Sequence, residues 1–170
     1  MEFLTVTPKL PVPQFRRYAT SQATDCGCAH DDDAAVDLEC ETVEALLGTA
    51  YQVKITAVVE AAVRLLGNPD HEIRGMSPRF NAKFSQVEVL WALGNYFKHR
   101  DEWDRSEWDT PTASRRFTIR ALIAAGLEPS SSGNLREGAT ALGNAAFSEM
   151  AVFERIIDEW AAAIRTEVRC

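Results

Sequence analysis

Apolar residues recur every three or four positions along most of the chain, and the places where that rhythm stops divide it into helices. The clearest run closes the sequence: in AAFSEMAVFERIIDEWAAAIRTEV, residues Ala146, Met150, Phe153, Ile157, Trp160, Ile164 and Val168 keep the helical spacing and leave charges on the other side. A second long helix is expected from Ala34 to about Gly67. Its apolar positions form one row through Val36, Val43, Leu47, Ala50, Val58, Ala62 and Leu65 and a parallel row through Leu46, Val53 and Ala57. Asp31, Asp32 and Asp33 place negative charge where the helix dipole favours it, and Gly67, Asn68 and Pro69 are stop signals.

Between these two helices the pattern predicts three more elements. A loop, DHEIRGMSPR, leads into a helix starting near Ser77 or Pro78 and reading FNAKFSQVEVLWALGNYFKHRDEW, because serine followed by proline suits a helix start. Thr110 is the expected cap of the next helix, which runs through Phe117, Leu122 and Ile123 and stops at Gly126. A turn over residues 128–134 then precedes a short helix, LREGATAL, ending at Gly143. Residues 1–34 carry Pro8, Pro11, Pro13 and Gly27 without a sustained period and are read as an irregular leader. The expectation is an all-α protein: a helical bundle of four main helices plus one short helix, with 35–170 as a single helical-bundle domain.

Composition narrows the classes. Of 170 residues, 46% are apolar, too many for general disorder and enough for one core. No apolar run approaches the roughly 20 residues that span a bilayer, and the N-terminus lacks the basic start and apolar block of a secretion signal, so no membrane contact and a cytoplasmic location are expected. Eighteen Lys and Arg against 25 Asp and Glu leave a net charge of -7. That balance opposes non-specific attraction to nucleic acid and suits a basic protein partner. Cys26, Cys28, His30 and Cys40 carry zinc-type donors, but their spacing matches no familiar zinc knuckle or ribbon, and reduced thiols are the plainer reading. There is no phosphate-binding loop, dinucleotide fingerprint or nucleophile elbow, so no metal or cofactor is expected. The stretch RDEWDRSEWD is expected to fold Trp103 and Trp108 back over the end of the bundle, with its acids facing water.

The helix around residue 90 is apolar on two flanks. Phe80, Phe84, Val87, Leu90, Trp91, Gly94 and Phe97 occupy one, and Val89, Leu93 and Tyr96 the other. A polar stripe of Asn81, Ser85, Glu88, Asn95 and His99 runs between them, with Ala92 in line. Asn95 and His99, four apart, project side by side. Polar groups so enclosed must be hydrogen-bonded or serve a purpose, since leaving one unpaired costs about 1 to 3 kcal/mol.

The wording LGNYFKHRDEW resembles the central signature of HEPN domains, small helical bundles of bacterial toxin–antitoxin, abortive-infection and other defence proteins. RNA-cleaving members carry an Arg, a polar residue directly after it and a His a few residues on. Here Asn95 and His99 match, while the Arg position falls on Gly94. The resemblance implies His99 as the catalytic general base or acid beside Asn95, a homodimer with the site at its seam, or else a cognate toxin or antitoxin partner, and RNA as a ligand. For a replacement cation toward phosphate the sequence offers Lys98, Arg100, Arg79, Arg115, Arg116 and Arg120; Lys98 and Arg100 point away from His99 on a regular helix, which favours Arg115 to Arg120. Without the Arg, the expectation is a non-catalytic protein- or RNA-binding module of a defence or immunity system. The alternative is a metal-independent endoribonuclease using His99.

Overall fold

Helices form where the periodic runs lie, with several of their boundaries shifted. The computed structural model describes residues 32–99, 103, 105–128, 134–143 and 151–169. The helices are α1 (Asp32–Leu66), α2 (Asp70–Gly75), α3 (Gln86–His99), α4 (Arg105–Asp109), α5 (Arg116–Ala124), α6 (Asn134–Ala141) and α7 (Ala151–Arg169). The all-α class therefore holds. Among the described residues, α2 and α4 are additional short helices where loops were expected. The chain divides into units of residues 1–44 and 45–170. Of the first unit, the structure describes the α1 turns over 32–44, so Cys26, Cys28 and His30 lie outside the described residues, as do Arg100 and the 144–150 part of the expected last helix. All that follows concerns 45–170. No helix among the described residues is long and apolar enough to cross a membrane.

α3 is the hub. It packs most extensively on α5 and also meets α2, α6 and α7. Val87, Val89, Leu90, Ala92 and Leu93 are buried around its circumference, as its two apolar flanks require. α7 is one-sided: Phe153, Ile156, Ile157, Trp160 and Ile164 enter the core, while Arg155, Asp158, Glu159 and Arg165 stay in water. The Trp160 indole N–H donates to the Ile73 carbonyl at 2.7 Å, fixing α7 to α2 without leaving a buried donor unpaired.

The face that α1 buries shares Ala62 and half-buried Val58 with the expected rows and otherwise differs from them. Tyr51, Ile55, Val59 and Ala62 are in the core, whereas Leu46, Ala50, Val53, Ala57 and Leu65 are exposed. Both sets have helical spacing, so periodicity does not choose between them. The choice comes from what α1 meets: Tyr51 makes an edge-on contact with Phe153 of α7 at 5.6 Å, and Gly48 touches α3.

α3 begins well after Ser77 and Pro78. Residues 78–86 turn back on themselves, with an isolated bridge between Arg79 and Ser85 and the Gln86 N–H donating to the Pro78 carbonyl at 2.8 Å. Ser85 is the true start, through a reciprocal cap. Its hydroxyl accepts from the Glu88 N–H at 3.1 Å, and the Glu88 carboxylate accepts from the Ser85 N–H at 2.7 Å. Ser77 still serves α3, from outside, by accepting from the Val87 N–H at 3.3 Å. Thr110 likewise does not cap α5: its N–H and hydroxyl both donate to the Ser106 carbonyl and close α4. The stop at Gly126 is as expected. With φ at 85° it lets the Leu127 N–H reach back to the Leu122 carbonyl at 3.1 Å, a geometry that a Cβ would strain.

Candidate functional site

The polar stripe of α3 is spent unevenly from its start to its end. Asn81 precedes the helix, and its side-chain oxygen accepts from the Lys83 and Phe84 N–H groups at 2.8 and 2.9 Å. Ser85 and Glu88 form the cap, so buried Glu88 serves the helix start. Asn95 is half-buried and joins three helices. The Gln52 amide of α1 donates to its oxygen at 3.2 Å, and its own amide nitrogen donates to the Thr118 hydroxyl of α5 at 3.1 Å. An amide with one acceptor and one donor so placed is bonded on both sides by its own bundle.

Gly94 leaves no room for a side chain directly before Asn95. A Cβ at this position would run into the Gly48 carbonyl and come within 2.6 Å of the Gln52 Cβ. α1 therefore lies on the α3 backbone where an Arg side chain would have to leave it. The same close approach brings Gln52 to Asn95.

His99 ends α3 in a half-exposed position, its ring stacked on Trp103 at 6.4 Å with 7° between planes. Trp103 and Trp108 are buried and pack against Tyr96 at 5.9 and 5.7 Å, so both indoles do cover the end of the bundle. The Arg115 guanidinium lies 5.6 Å from the Trp103 ring and pairs with the Glu107 carboxylate at 2.7 Å. His99 and Arg115, 16 positions apart in the chain, thus both lie against one indole. Lys98, Arg116 and Arg120 are exposed and have no described contact with this group.

Gln52, Thr118 and Glu107 carry no mark in the sequence that sets them apart. For Gln52 and Thr118 no sequence signal exists, because their importance lies in reaching Asn95 from 43 and 23 positions away. The Ser85-Gln-Val-Glu88 cap, by contrast, is a readable motif. No protein-family model, curated protein or solved structure matches this chain.

Proposed function

We propose that this chain is a HEPN-like helical interaction module of a bacterial defence or toxin–antitoxin/immunity system, acting by binding a protein and not by cutting RNA. The observation that carries the reading is Asn95, whose amide is bonded to Gln52 and Thr118 beside a glycine too crowded to be replaced by the arginine of RNA-cleaving relatives. The net charge of -7 favours a basic protein surface as the partner. Purified protein incubated with single-stranded RNA in EDTA should leave the RNA intact, and affinity capture from the native host should return one stoichiometric basic protein. Cleavage that disappears in His99→Ala would overturn this reading.

One observation favours that second reading, a metal-independent endoribonuclease built at a homodimer seam. His99 and Arg115, a proton-transfer group and a phosphate-binding cation, lie against the same indole. It requires Arg115 to turn from Glu107 to the phosphate, and Arg115→Gln should then abolish cleavage together with His99→Ala.

A further inference from the structure

A cavity of about 440 Å³ opens among α1, α2 and α3, apart from the His99–Trp103 group. Val59, Val63 and Trp91 supply apolar wall; the charged lining comes from the Glu60–Arg64 and Asp70–Arg74 pairs. The volume is in the range of small-molecule sites, and a few polar groups on an apolar lining are what such sites use to orient a ligand.

Arg74 is the distinctive member. Its guanidinium lies 5.1 Å from the Trp91 ring and 5.5 Å from the Phe117 ring, so two aromatic contacts hold its plane. Its side chain is only 12% exposed, its Nε is enclosed, and Nη1 is its one nitrogen with an acceptor among the described residues. Its carboxylate partner is the opposite: Asp70 bonds Nη1 at 3.0 Å with a side chain 61% exposed, so it can swing into water at little cost. A guanidinium presents five donors in a fixed fork, and a carboxylate entering the cavity can take up the Nη donors that Asp70 leaves unused.

We propose that this cavity binds a small organic monocarboxylate with a flat apolar body. The head group pairs with Arg74, and the body lies against Trp91, Val59 and Val63. The site is independent of whether the protein binds a protein or cleaves RNA.

The test is isothermal titration of the full chain with three probes: phenylacetate, benzylamine with a similar body and the opposite charge, and acetate with the head alone. Phenylacetate should bind saturably at one site, and the other two should bind at least about tenfold more weakly. Arg74→Met should weaken phenylacetate about tenfold or more, with Arg74→Lys between it and the unaltered protein, because an ammonium lacks the fork. Asp70→Asn, a change at an exposed side chain, should tighten phenylacetate severalfold by releasing Arg74, and it keeps the idea testable if the Arg74 variants do not fold. Absence of saturable phenylacetate binding, equal binding of benzylamine, or an affinity indifferent to Asp70→Asn overturns the proposal.

Discussion

The Gly94–Asn95 seam and the Arg74–Trp91 cavity both lie along α3, yet they use their polar groups in opposite ways. At the seam, α1 rests on the glycine backbone, and both ends of the Asn95 amide are bonded to neighbouring helices. At the cavity, a largely buried cation has one acceptor among the described residues, and that partner is mostly in water. Arg115 on Trp103 lies between these extremes: it too sits on an indole, but Glu107 holds it at 2.7 Å with both side chains shielded, at 26% and 23% exposure. An arginine against an aromatic ring is thus not yet a binding group. What distinguishes the Arg74 site is how loosely its carboxylate is committed.

The seam should be the most sensitive to change. Gly94→Ala is expected to cost about 2 kcal/mol or more, because the added methyl meets backbone at Gly48 and cannot be relieved by a side-chain rotation. Chemical denaturation measures this, and a loss below about 0.5 kcal/mol would show that α1 is not pressed onto α3 as described. The two arginines separate next. Glu107→Gln should lower stability by about 1 kcal/mol, since it removes a short, shielded ion pair, whereas Asp70→Asn should stay within about 0.5 kcal/mol. Equal losses in thermal melts would erase the distinction between the tightly and loosely paired cations.

The smallest effect at neutral pH is expected on the face of α1 that meets α7. Burial pushes the Tyr51 hydroxyl up to about 12, with Glu154 and Asp158 adding repulsion against the phenolate. A raised folded pKa means that the contribution of neutral Tyr51 is complete below the unfolded value near 10 and is lost as pH climbs through about 12. Over that window the loss is on the order of 2 kcal/mol. Tyr51→Phe should therefore melt almost like the parent at pH 7 and lose less stability between pH 10 and 12. Parallel curves across that range would mean that the hydroxyl is not enclosed.

Helix α7 was readable because one face is apolar and the other charged, so Phe153, Ile157, Trp160 and Ile164 could point only inward. The ends at Gly67 and Gly126 were readable for an equally local reason, since a positive φ after a last turn favours glycine. The start of α3 was misread where two local signals competed: Ser77-Pro78 resembles a cap, but the reciprocal bonds of Ser85 and Glu88 satisfy two N–H groups at once. That Asn95 and His99 stand on α3 between two apolar flanks was readable from the sequence.

Local spacing thus settles that the chain is helical, where several helices stop, and that Asn95 and His99 are unusual. Packing settles which face of α1 is buried, that Asn95 is tied to Gln52 and Thr118, and that His99 and Arg115 share Trp103. The reason is one of range. Periods of three and four describe a helix's own surface, whereas the choice between two equally apolar faces, or between two acceptors for one amide, depends on groups tens of residues away that only folding brings near.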